Sequence, residues 1–314
     1  MKSVPAGSPA LPSQFAWGQF CWITAAAIGL FIGLRLLPTG TNLNHMDFRV
    51  DARPGGAIEF CDPANPQFIP VVTMRSPVEM AVMMPAPTVA NRSIAAVVRL
   101  RTASGKPIAP EDLQITHTRR LHLLIVDPAL SDYQHVHPEP TRTPGEWAFA
   151  FTPRHGGVYR FFADFTPAAT SRGLYASADF DLGSLAGEGE RAPRPTANWV
   201  ERGGIRYEIT VASPPVRADR PIDLRFRVSR VGGGTVALSP VMGALAHLVA
   251  FDAARSGFAH LHPVEPMATE AASAHGVELN FKLSIPRPGE FSIWAQINLD
   301  GREEFVRFPL EVLP

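Results

Sequence analysis

Short runs of alternating apolar and polar residues dominate most of this chain. "IDLRFRVS" (222–229) and "ELNFKLSI" (278–285) place an apolar side chain at every second position, the period of a strand with one buried face. Further strand candidates precede them: "SIAAVVRLRT", "RLHLLIVD", "YQHVHP", "EWAFAFTP", "VYRFFADFTP" and "LYASADFDL" between residues 93 and 182. A second series runs from "IRYEITVAS" at 205 to "EEFVRFPLEV" at 303–312. In "VYRFFADF", Tyr159, Phe161 and Phe162 cannot all face one core, so that strand is expected to be covered on both faces or to offer a docking surface.

One stretch breaks the pattern. "WGQFCWITAAAIGLFIGL" (Trp17 to Leu34) has no charged residue, and this predicts a single N-terminal transmembrane helix. Trp17 and Trp22 suit one membrane interface and Arg35 the other. No A-x-A cleavage site follows, so the helix reads as an uncleaved anchor. Lys2 on one side and Arg35, Arg49 and Arg53 on the other give no clean orientation. The expected placement is an inner-membrane, single-pass protein with the bulk of the chain periplasmic, as suits a signal anchor followed by strand-rich modules.

The layout divides into five segments: residues 1–40 as tail and anchor, 41–80 as an extension packing on the first module, 81–183 as module 1, 184–203 as linker, and 204–314 as module 2. The linker "LGSLAGEGERAPRPTANWVER" is rich in Gly, Ala, Pro and charge. Each module carries about seven strands. The fold class is therefore all-β: two tandem immunoglobulin-like or cupredoxin-like β-sandwiches after the helix.

Composition narrows the function classes. Lys and Arg total 29, as do Asp and Glu, and no basic block occurs, so nucleic acid is not an expected partner. The two cysteines, Cys21 in the apolar run and Cys61 in "EFCDPANPQF", cannot staple a fold. The chain lacks a G-x-S-x-G elbow, a P-loop, a dinucleotide fingerprint and H-E-x-x-H. "RVGGGT" reads as a hairpin turn. The expectation is that the protein is not an enzyme and has no catalytic residues.

The candidate chemistry is a pattern written twice. "LHLLIVDPALSDYQHVHPEP" (121–140) and "AHLVAFDAARSGFAHLHPVEP" (246–266) match at His122/His247, Asp127/Asp252, His135/His260, His137/His262 and Pro138/Pro263, each pair 125 positions apart. His135 and His137 alternate along one strand and so face the same way. A four-residue loop, Pro128 to Ser131, would set Asp127 opposite Asp132 and His122 opposite His137, bringing three imidazoles to one face. The second copy gives the same result with loop Ala253 to Ser256, pairing Phe251 with Phe258.

Three neutral imidazoles on neighbouring strands suit copper or zinc, which makes His122, His135, His137, His247, His260 and His262 the metal candidates. A histidine on a half-buried strand also serves simply as a packing residue. Met80, Met83, Met84 and Met242 are possible sulfur ligands, more simply read as core filler. His117 is a spare imidazole, read as a solvated loop residue. Asp127 and Asp252 are read as turn residues that accept backbone hydrogen bonds.

The repeated hairpin, with its H-x12-H-x-H-P spacing, resembles modules of poorly characterised bacterial exported and membrane-anchored tandem β-sandwich proteins, some of them associated with heavy-metal handling. The likeness covers about residues 90–183 and 205–314. It implies a sandwich fold outside the cytoplasm. Neither module has the Cys-plus-Met loop of a blue-copper site. Two functions follow as expectations. The first is a membrane-anchored protein that binds copper or zinc through the duplicated triplets. The second is a structural or accessory subunit of a respiratory or photosynthetic type of membrane complex, with protein partners docking on its sandwiches.

Overall fold

In the computed structural model the described residues are 17–36, 43–48, 66–85, 89–265 and 271–314. Cys61 lies outside them, as do the N-terminal tail and residues 49–65. The chain separates into two units, Met1–Asn42 and Leu43–Pro314. The first contains one α-helix, Trp17–Leu36, apolar around its whole circumference, and its residues from Gly18 to Gly33 are exposed. Among the described residues no helix is long and apolar enough to cross a membrane.

The second unit is built from antiparallel sheets in two sandwiches. In the first lobe an outer sheet orders Val78–Met83, Ile94–Thr102, Glu146–Phe151 and Glu139–Pro140. Its inner sheet orders Tyr133–Val136, Leu121–Val126, Val158–Phe165 and Leu174–Asp181. The second lobe has an outer sheet of Val277–Ser284, Pro221–Arg230, Ile205–Val211 and Trp199–Arg202. Its inner sheet centres on Phe258–Leu261, Ala246–Asp252 and Gly289–Leu299, with Arg302–Val312 paired to the last of these. Strict alternation shows where one face is wet: Pro221–Arg230 is buried at Ile222, Leu224, Phe226 and Val228 and exposed between them.

Each lobe has its own core between its two sheets. Val98, Leu100, Leu123, Ile125, Trp147, Tyr159 and Phe161 belong to the first, and Phe226, Leu248, Phe281, Ile293 and Phe308 to the second. A third core lies between the lobes, where Leu124, Val126, Tyr133 and Phe162 meet Val249, Phe251, Phe258 and Trp294. Every side chain of Leu121–Val126 is buried for this reason: odd positions enter the lobe core, while Leu124 and Val126 enter the interface. Of the two alternatives open for Val158–Phe165, coverage on both faces is the one seen, with the other lobe as the cover. Tyr159 and Phe161 point into the lobe and Phe162 points at the other lobe.

The extension does not pack on the first module alone. Leu43 and Phe48 join the first core, but Phe68 sits in the second and Ile69 and Val71 in the interface. Ile69 exchanges backbone hydrogen bonds with Phe258 at 2.8 and 3.1 Å, because that edge strand has unpaired groups to offer. The first module begins with the strand Val78–Met83, and the second already with Trp199–Arg202, inside the expected linker. The linker is tied to both lobes: Arg191 donates to Gly156 O at 2.7 Å, and Arg194 is bonded to Glu290 of the second lobe.

Candidate metal centre

Both histidine hairpins have the register that the spacing predicted. Leu123 pairs Val136 and Val126 pairs Tyr133, which sets His122 opposite His137 and Asp127 opposite Asp132. In the second copy Leu248 pairs Leu261 and Phe251 pairs Phe258, which sets His247 opposite His262. The turns are held by their aspartates. Asp127 accepts from Ser131 N at 2.6 Å, Ser131 Oγ at 2.8 Å and Asp132 N at 2.9 Å. Asp252 accepts from Ser256 N at 2.6 Å and Ser256 Oγ at 2.7 Å. A left-handed residue closes each loop at the matching position, Leu130 (φ 54°) and Arg255 (φ 53°).

A second matched turn precedes each first histidine. Thr116 and Arg119 exchange backbone hydrogen bonds across His117 (φ 48°) and Thr118 (φ 72°), and Val241 and Ala244 do the same across Met242 (φ 50°) and Gly243 (φ 81°). Two left-handed central residues make a type I′ turn, which suits the strand twist. The turn fixes a carbonyl beside each first histidine. His122 Nε2 lies 3.0 Å from Thr116 O, and His247 Nε2 lies 2.8 Å from Val241 O. A carbonyl only accepts, so both Nε2 atoms carry the proton and both Nδ1 atoms present a lone pair.

The second histidine of each triplet is oriented from the opposite lobe. His135 Nδ1 lies 2.9 Å from Gln296 Oε1, and His260 Nδ1 lies 3.3 Å from Asp164 Oδ2. The Gln296 amide is placed by its other end, Nε2, which reaches Glu303 at 3.5 Å. Both Nδ1 atoms therefore donate, and both Nε2 atoms are left with lone pairs. Asp164 and Gln296 are equivalent residues: Asp164 pairs with His122 in its own sheet, and Gln296 pairs with His247 in the other. Each lobe thus supplies the outer partner of the other lobe's histidine.

Lone pairs consequently face each other. His122 Nδ1 and His135 Nε2 are 3.3 Å apart, and His247 Nδ1 and His260 Nε2 are 3.2 Å apart. Neither pair has a hydrogen to share. A proton inserted between them would make a buried imidazolium, which burial and the neighbouring rings oppose. Burial first, then adjacent imidazoles, hold His135 and His260 well below the usual range, and burial lowers His247 to about 4. Two nitrogens bound about 2.05 Å from one tetrahedral ion lie about 3.3 Å apart, the separation seen.

The third ring completes each set. His137 Nε2 and His262 Nε2 are buried without a hydrogen-bond partner, and the ligand nitrogens of each triplet lie within 4.8 Å of one another. Burial lowers His137 to about 3 and His262 further still. All six candidate ligands are therefore neutral at pH 7, the state a metal needs. The structure brings together every histidine that the sequence singled out, and brings the two triplets to the same interface: the His135 and His260 rings are 5.3 Å apart.

Three residues were not read as part of this site. Asp164 and Gln296 come from other strands and bond across the lobes. His117, expected to be a solvated loop residue, is exposed but lies stacked on His262 of the second lobe, with centroids 3.9 Å apart. Of the methionines, Met80 and Met84 pack against the first core, as filler does. Met242 occupies the turn position that His117 occupies in the first lobe.

Among solved structures the likenesses are slight. The chain is similar to a DUF4785 family protein of Legionella pneumophila (9% identity, 76% of this chain and 56% of that one, TM-score 0.25). It is also similar to a Corynebacterium diphtheriae protein described as membrane anchored (7%, 75% and 59%, 0.23) and to an Escherichia coli alpha-2-macroglobulin (12%, 76% and 17%, 0.25). It spans just over half of the Legionella protein. No curated protein matches. A family model does match, twice, over residues 78–179 and 201–313, the two lobes described above. The chain belongs to the family of the domain of unknown function DUF8832 and carries that domain in two copies.

Proposed function

We propose that this protein is a non-enzymatic metal-binding protein that holds copper or zinc at the two histidine triplets. The observation that carries this reading is the pair of facing lone pairs in each lobe, His122 with His135 and His247 with His260, each completed by an unpartnered Nε2. Purely structural histidines would turn a donor toward an acceptor at such distances. Instead the donors point outward to Thr116, Val241, Gln296 and Asp164, and the acceptors converge. Imidazole-only sets suit Cu(II) and Zn(II), and three ligands leave a fourth position for water or an incoming group.

The exposed apolar helix Trp17–Leu36, though short of a full span by its length and apolarity, is the feature behind the further reading of a tether to the inner membrane; the periplasmic side is assigned to the lobes only as suits a signal anchor. That same helix is the feature that favours an accessory-subunit role, and the two roles are compatible. Metal analysis of the full-length protein, as purified and after reconstitution with copper or zinc, tests the first reading. About two equivalents per chain are expected. Content far below one equivalent after reconstitution ends it.

A further inference from the structure

Resting on the metal reading above, we propose that the two triplets form one two-ion centre that fills in a set order, the second-lobe triplet first. Three observations lead here. The sets adjoin across the lobe interface, with His122 and His260 rings 6.0 Å apart and His135 and His247 rings 6.1 Å apart. Two divalent ions held so closely by neutral imidazoles repel each other, so the second ion binds more weakly than the first. This alone would make filling stepwise without saying which triplet leads.

The crossed outer partners decide the order. His260 donates to a carboxylate, Asp164, whereas His135 donates to a neutral amide, Gln296. A carboxylate behind an imidazole increases the ring's basicity toward the ion and brings a compensating negative charge. An amide fixes the same tautomer but adds no charge. Asp164 is also the register neighbour of His122, so its charge reaches the first triplet, but without a bond to a ring of that set. His117 favours the same order, since its imidazole lies against His262 and no other ring stacks so closely in either set.

The test is a calorimetric titration of the metal-stripped full-length protein with Zn²⁺. Two classes of one Zn²⁺ each are expected, differing at least tenfold. His262→Ala should remove the tight class and His137→Ala the weak one. Asp164→Asn, which keeps shape and an acceptor, should weaken the tight class by about 10–100-fold and the other by less. Gln296→Glu should tighten the weak class, a gain that misfolding cannot imitate. Two equal classes, or equal loss at both in Asp164→Asn with no gain in Gln296→Glu, would overturn the ordered centre while leaving metal binding intact. Binding of no Zn²⁺ at all would overturn both.

Discussion

His117, at the tip of a turn in the first lobe, lies flat against His262 in the second, with centroids 3.9 Å apart and planes 21° apart. The ring covers the half-buried member of a triplet whose other two rings are buried. Its position is held by a turn with left-handed residues at 117 and 118, where β-branched Thr118 is an uncomfortable choice. A stacked ring pair contributes about 1 kcal/mol beyond its buried area, roughly fivefold in an equilibrium or a rate. His117→Ala should therefore speed metal loss to a chelator from the second triplet about fivefold, and affect the first less, because His117 meets His122 only edge-on at 6.3 Å. Stopped-flow release into a chromogenic chelator measures it, and equal acceleration at both sites would show that the stack covers neither in particular.

The depressed histidines set a pH dependence whose sign is fixed. In the unfolded chain they titrate near 6.5, and in the folded one they stay neutral to lower pH. Below 6.5 the unfolded state binds more protons, so stability is full above 6.5 and is lost as pH falls. His247, fully buried and lowered to about 4, accounts for roughly 3 kcal/mol across that window. Asp164 acts in the opposite sense, because burial raises its carboxyl, but it is one group against seven rings, His117 and the six candidate ligands. Melting temperatures of the metal-free protein should drop steeply between pH 6.5 and 4. Replacing His247 with Gln should flatten the curve, and a profile that stays flat in the parent protein would contradict the burial of these rings as neutral groups.

Much of this site was legible because a hairpin is local. The same count of residues between Asp127 and Asp132 as between Asp252 and Gly257 sets the register, and register sets which face the histidines share. The crossed partners were not legible in the same way, since nothing in a strand's own sequence says which lobe it will meet. A signal did exist. "GGVYRFFADF" and "PGEFSIWAQI" align so that Asp164 and Gln296 fall together, each a polar residue in an apolar strand. Likewise His117 and Met242 share the 125-residue offset of the ligands. The apolar alternation placed the strands, but nothing in the linker's composition showed that the lobes dock on each other. The third core docks them, because Phe162, Phe251 and Trp294 have no other way to leave water.

That interface core should be needed for metal as well as for stability. Phe251 is fully buried, 6.0 Å from the Phe162 ring across the lobes and 5.6 Å from Tyr133. Phe251→Ala opens a cavity where relaxation is limited on both sides, at a cost of about 3–5 kcal/mol. Because Asp164 and Gln296 reach their histidines across this interface, the variant should also bind metal more weakly at both triplets. Chemical denaturation together with metal content checks the pair of effects. A destabilised variant that binds two ions as tightly as the parent would uncouple the centre from lobe docking.

The strap formed by residues 66–72 depends on a glycine outside it. Gly257 approaches Ile69 so closely that a Cβ added there would stand 1.8 Å from Ile69 O and 2.7 Å from its carbonyl carbon, both backbone atoms that cannot swing aside. Gly257→Ala therefore has to displace the strap or the hairpin. The strap yields more readily, because few backbone bonds hold it: the pair between Ile69 and Phe258, Phe68 N to Ser284 O at 2.9 Å, Ser284 N to Pro66 O at 3.0 Å, and Val72 N to Ser256 O at 2.9 Å. Its release would uncover Phe68 and Ile69 and expose the edge strand Phe258–Leu261, which carries His260. The expected result is new protease cleavage within residues 66–77, a loss of about 2–4 kcal/mol from the uncovered side chains and broken pairing, and faster amide exchange at Phe258. Hydrogen exchange read by mass spectrometry makes the measurement, and unchanged protection at Phe258 would mean that the hairpin, not the strap, gives way.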